Sequence, residues 1–82
     1  MSEWWQDPDA DSTVDATGLR CPLPVIRLAA AARDCAPGHV IMLLSTDPAA
    51  GTDVAAWCRM RGQTLLAQTW SDSVLQSRVQ IT

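Results

Sequence analysis

Two prolines, Pro22 and Pro24, follow Cys21 and stand at the head of an apolar-periodic stretch running from Val25 to Cys35. Proline is accepted in the first turn of a helix, where an N–H would have no intrahelical acceptor and the fixed φ is already helical. It also drives the residue before it toward extended geometry, so neither Cys21 nor Leu23 suits a helix interior. The chain therefore comes in extended and turns helical at Pro22 or Pro24, with Cys21 at the mouth of the helix. Gly18, just upstream, gives the backbone the freedom to make that turn.

The remaining elements follow from period and punctuation. Val25, Leu28, Ala29 and Ala32 recur at i, i+3, i+4 and i+7, Ile26 widens the stripe, and Arg27 and Asp34 fall on the opposite face. Alanine favours the helix, and Ala36-Pro37-Gly38 ends it just after Cys35. Upstream, Thr13 to Thr17 alternates as a strand, with Val14 and Ala16 opposed to Asp15. Val40 to Leu44 is apolar without a break, the signature of a central strand occupied on both faces. Asp47-Pro48 or Thr52-Asp53 offers an N-cap for a second helix that ends at Arg61, with Gly62 just beyond. Thr64 to Trp70 and Val74 to Ile81 read as strands joined by Ser71-Asp72-Ser73. In the last of these, Leu75, Val79 and Ile81 alternate with Gln76, Arg78 and Gln80, as in a half-buried edge or antiparallel strand.

The expected architecture is β-α-β-α-β-β, an α/β (α+β) two-layer sandwich with a mixed four-stranded sheet and both helices on one face. The first three elements form a right-handed parallel crossover, and the final two strands are antiparallel. Ile41 and Leu43 point one way and Met42 and Leu44 the other. The face without helices is accordingly expected to be bare and apolar, a surface for a partner or for self-association. Eighty-two residues make one small domain. Residues 13–82 are expected to form it, with 1–12 as a flexible acidic tail. Within that tail, Trp4-Trp5 either folds back onto an apolar surface or marks a contact site.

Composition removes several function classes. The three cysteines, Cys21, Cys35 and Cys58, are odd in number and widely spaced, with no CxxC pair, and there is a single histidine, His39. That pattern fits neither a disulfide framework nor a zinc site, and no cofactor is expected. Reduced thiols suit a cytoplasmic location. The polar, acidic N-terminus is unlike a signal peptide, and no run reaches membrane-spanning length, so no membrane partner is expected. Five of the nine acidic residues lie in the first fifteen positions, and all six cations are arginines in the remainder. The body is thus only weakly basic, which argues against direct nucleic-acid binding. Its charge would suit an acidic protein partner or an anionic small group near Cys21, or is ordinary solvated surface.

Cys21 carries the chemistry that the sequence offers. A thiol at a helix N-terminus lies under partial positive charge, and Arg20 adds a full charge beside it; both favour the thiolate, which is the nucleophile. The opposing reading is a small buried apolar residue, as free cysteines often are. Cys35 reads as a space-filler near the helix end. Cys58 shares a face with Val54 and Trp57 and reads as core, a resolving thiol being the lesser alternative. His39 opens a strand and is expected to be solvated.

Asp15-Ala16-Thr17-Gly18-Leu19-Arg20-Cys21-Pro22-Leu23-Pro24 resembles the signature of the TusA/SirA family of small sulfur-carrier proteins, and the likeness continues through Ala36-Pro37-Gly38, Thr46-Asp47-Pro48-Ala49, Asp53 and Trp57-Cys58. The resemblance implies a two-layer βαβαββ fold and one functional cysteine, Cys21. It implies a sulfurtransferase-type carrier, a covalent relay rather than an independently turning-over enzyme. Sulfane sulfur would arrive from a cysteine desulfurase or rhodanese-like donor, be held as a persulfide, and pass to a sulfur-accepting relay protein. Destinations in the family include tRNA thiolation, molybdenum-cofactor biosynthesis and sulfur oxidation. Arg20 and, further along the helix, Arg27 would supply positive field, Pro22 and Pro24 would hold the loop so that Cys21 projects, and Asp47 and Asp53 would cap or orient rather than react. The rival is a non-catalytic regulatory or protein-interaction module in which Cys21 is structural.

Overall fold

The computed structural model describes residues 10–82, so Trp4-Trp5 and most of the expected tail lie outside the described residues. The elements run β1 (Ser12–Ala16), α1 (Leu23–Ala32), β2 (Val40–Ser45), α2 (Ala50–Arg61), β3 (Thr64–Ser71) and β4 (Val74–Gln80). They build one mixed sheet in the order β1-β2-β4-β3. β1 pairs parallel with β2, from Ser12 opposite Ile41 to Ala16 opposite Ser45. β4 pairs antiparallel with both β2 and β3. This is the expected two-layer α+β arrangement.

The core lies between the sheet and the helices. Ala16, Ile41, Leu43 and Val79 of the sheet close against Leu28, Val54 and Cys58 of the helices, with Trp57, Leu65 and Val25 packed around them. Leu28, Ile41, Leu43, Val54 and Val79 are fully buried, and each such aliphatic side chain contributes roughly 1.5–3 kcal/mol. The chain reverses between β3 and β4 through Asp72 and Ser73, at φ 50 and 67, the left-handed pair of a two-residue hairpin turn whose twist matches the strands. α2 stops at Gly62, φ 72, whose N–H returns to the Cys58 carbonyl. Glycine takes that left-handed cap position without a Cβ penalty.

Three expectations change. Of the two readings of the last strand, edge or antiparallel, β4 is antiparallel but inner; the edges are β1 and β3, and β3 carries a bulge between Leu65 and Ala67. The hairpin folds β4 inward onto β2, and the inward alternation is Leu75, Ser77 and Val79, all buried; the small polar Ser77 conceals that regularity in the sequence. Met42 and Leu44 do point away from the helices, yet they are only 2% and 5% exposed. The register sets Thr13 and Arg78 beside Met42, and Asp15 and Gln76 beside Leu44, so this face is an apolar row bordered by polar side chains and not a bare patch. Finally, α1 ends at Ala32 with Arg33 as its cap, so Cys35 lies past the last turn. Its thiol contacts the Ala31 carbonyl at 3.2 Å.

Candidate functional site

Parallel pairing puts the carboxyl ends of β1 and β2 side by side, where loops leaving adjacent strands form a crevice. The loop after β1 carries Cys21 and the loop after β2 carries Asp47. Each is fixed locally. The Asp15 carboxylate accepts from the Thr17 N–H at 3.0 Å and from its hydroxyl at 2.7 Å, an Asx turn that starts the reversal. Gly18 then adopts φ 80 and donates its N–H to Thr46 Oγ1 at 2.9 Å. Asp47 accepts from the Ala49 N–H at 2.9 Å, opening α2, and with its other oxygen accepts from the Cys21 N–H at 2.6 Å. The two loops are therefore stitched together by Gly18–Thr46 and Cys21–Asp47.

Cys21 is exposed. Its peptide bond to Pro22 is cis. Pro22 is the N-cap residue of α1, and Pro24, in the first turn, is buried. Pro24 thus anchors the helix start in the packed layer while Cys21 stands outside it. The Cys21 thiol donates to Oδ2 of Asp53, which lies in the first turn of α2. A shallow cavity of about 460 Å³, lined by Gly18, Leu19, Arg20, Thr46, Asp47 and Pro48, opens beside the cysteine loop. Leu23 and Ile26, the exposed large apolar residues of α1, are 45% and 54% accessible and lie in its first turn, two and five positions after Cys21.

The electrostatics correct the expectation of a lowered thiol pKa. The hydrogen bond to Asp53 pushes the Cys21 thiol above its ordinary value, assisted by desolvation and by the negative charges of Asp53 and Asp47. Asp47 in turn is held below the usual carboxylate range by the Ala49 and Cys21 N–H groups, with a smaller contribution from Arg20. The helix mouth fails to offset this for a local reason. Pro22 and Pro24 have no N–H to offer, and the Leu23 N–H is taken by the Arg20 carbonyl at 2.8 Å. Arg20 is exposed beside the site, and its charge acts on Asp47. Arg27, also exposed, acts on Asp15.

The structure thus gathers Cys21, Arg20, Pro22, Pro24, Asp47 and Asp53 at one end of the sheet, and places Arg27 on the outer side of α1 toward Asp15. Sequence reasoning gave Asp47 and Asp53 only capping and orienting parts. The signal available was their place: both fall at the start of the second helix of a βαβα run, the same end at which the first helix begins. Cys58 is buried and Cys35 half-buried, each with its thiol pushed up chiefly by burial. His39 is not simply solvated, since its ring is 2.8 Å from Ser12 Oγ. Among the described residues no group of three or more His, Cys, Asp or Glu could hold a metal ion, and no helix is long and apolar enough to cross a membrane.

Comparison with known proteins bears on this site. The family model described as Sulfurtransferase TusA matches residues 12–81. A protein of Neisseria meningitidis serogroup A is 41% identical over 68 residues, 83% of this chain and 92% of the relative. The sulfur carrier protein TusA of Pseudomonas entomophila is 43% identical over 58 residues, 71% of this chain and 72% of its own length. That of Pseudomonas aeruginosa strain LESB58 is 41% identical over 58 residues, covering 71% and 73%.

Proposed function

The chain belongs to the TusA sulfurtransferase family, and from that premise we propose that it is a sulfur carrier, with Cys21 as the residue that is loaded. Sulfane sulfur arrives from a cysteine desulfurase or rhodanese-like donor, rests on Cys21 as a persulfide, and leaves to a sulfur-accepting relay protein. The observation that carries this reading is an exposed thiol raised on a pinned loop at the carboxyl ends of two parallel strands. Exchange at sulfur needs an open approach for another protein's cysteine more than it needs a deep pocket.

In the loading step the Cys21 sulfur attacks the terminal sulfur of the donor persulfide. The donor's S–S bond breaks, its electron pair leaves with the donor cysteine, and one sulfur changes carrier without net oxidation. In delivery an acceptor thiolate repeats the displacement on Cys21. Pro22 and Pro24 hold the loop, while Arg20 and Arg27 offer positive charge to an incoming acidic surface. Residues 13–82 serve as the carrier unit. A reducing, cytoplasmic setting keeps its thiols free, and tRNA thiolation, molybdenum-cofactor biosynthesis or sulfur oxidation receives the sulfur.

The test is incubation with a persulfide-loaded desulfurase, followed by intact mass and peptide mapping. One added sulfur on Cys21 is expected. Equal labelling of Cys35 or Cys58, or undiminished labelling of Cys21→Ser, overturns the assignment. Full biological activity in Cys21→Ala would favour a structural module instead.

A further inference from the structure

We propose that Asp53 is a load-sensing latch on the carrier thiol: it holds the Cys21 S–H while the protein is empty and releases the side chain once a second sulfur is attached. The proposal rests on the carrier reading and adds to it a residue and a two-state device. The geometry behind it is asymmetric. The backbone of Cys21 is fixed through its N–H to Asp47, and the loop through Gly18 to Thr46, so the sulfur moves by rotation of its own side chain. Among the described residues, the side-chain hydrogen bond that holds that rotation in the empty protein is the thiol donating to Asp53 Oδ2.

A thiol has a proton to donate. A persulfide is a stronger acid than the thiol from which it is built, so near neutral pH its terminal sulfur is an anion with no proton. The groups facing that anion are Asp53 from α2 and Asp47 from the loop before it, with Arg20 beside Asp47 and Arg27 directed toward Asp15. A carboxylate that attracts S–H repels S–S⁻. Loading therefore changes the contact from a hydrogen bond to a repulsion and turns the sulfur outward to solvent. The empty side chain lies against α2 and the loaded one stands clear of it, so donor and acceptor meet different shapes of the same loop.

Proton and electron accounts close within this scheme. As the Cys21 sulfur bonds to the donor's sulfane sulfur, its proton passes to Asp53 and from there to the donor cysteine that leaves as thiolate. The donor persulfide reacts in its minor S–H form, whose proton stays on the transferred sulfur and then ionises from the new persulfide to solvent. The same contact has a protective consequence: the empty thiol, kept protonated, reacts slowly with adventitious electrophiles.

The experiment compares the full chain with Asp53→Asn and Asp53→Ser, each checked for fold by circular dichroism. Iodoacetamide labelling of Cys21 is followed against pH by peptide mapping, before and after loading with inorganic polysulfide. In the empty protein both variants should label at least about threefold faster at pH 7, with the midpoint of the rate profile moved down. After loading, the persulfide should label at rates within about twofold in all three proteins, because it is ionised and no longer held. Equal rates in the empty proteins overturn the latch, as does a variant effect that persists at full size after loading. The empty-protein comparison needs no donor protein, so its failure leaves the carrier function standing. Failure of enzymatic loading would leave that comparison intact.

Discussion

Cys21 and Cys58 both carry thiols pushed above the ordinary value, for opposite reasons. At Cys58, 2% exposed on the inner face of α2, the cause is burial. At Cys21, exposed on the loop after β1, the leading cause is a single carboxylate, Asp53. Burial can be relieved only by opening the core, at a cost comparable to unfolding. A hydrogen bond at the surface can be relieved by turning one side chain. A high thiol pKa therefore says little about reactivity until its cause is known, and in this molecule the same direction of shift marks an inert cysteine and a gated one.

The contrast breaks or sharpens in several ways, the most severe first. Cys21→Ala should remove sulfur loading altogether, measured by intact mass after exposure to a loaded donor, while the protein's urea midpoint stays nearly unchanged. Cys58→Asp should do the reverse kind of damage. A carboxylate in the Val54, Leu28 and Ile41 cluster is expected to cost roughly 3–5 kcal/mol in urea unfolding, against about 1 kcal/mol for Cys58→Ala. If both cysteines proved equally tolerant, the division into core thiol and surface thiol would fall. Competitive alkylation of the native protein should label Cys21 about tenfold or more faster than Cys58, the two converging in denaturant.

The gentlest prediction concerns acid. Hydrogen bonds from Thr17 hold Asp15, and those from Ala49 and Cys21 hold Asp47, below the usual carboxylate range. A folded value below the unfolded one means that this stability is fully present above the ordinary aspartate value, about pH 4, and is lost as pH falls through the folded values. Asp15→Asn together with Asp47→Asn should flatten the acid side of a thermal-stability profile by a small amount. A slope unchanged in the double variant would show that these carboxylates contribute nothing to acid sensitivity.

What was legible in the sequence follows the same division. Prolines around Cys21, the unbroken Val40–Leu44 run and Gly62 each act through local backbone rules, and they located the helices, the central strand and the loop cysteine. The position of β4 inside the sheet was hidden, because Ser77 is polar yet buried at an inward position. The polarity of the site was hidden too. A helix dipole can be argued from adjacent residues, whereas the carboxylate that outweighs it stands 32 positions away in sequence. That contact comes from the crossover geometry, and no pattern within either segment announces it.

That separation matters at birth. During synthesis Cys21 emerges well before Asp53, and until the second helix has formed and docked, the sulfhydryl has no acidic companion. A nascent or truncated polypeptide therefore exposes an ordinary, unguarded cysteine, and only the finished fold acquires discretion over what its sulfur will touch.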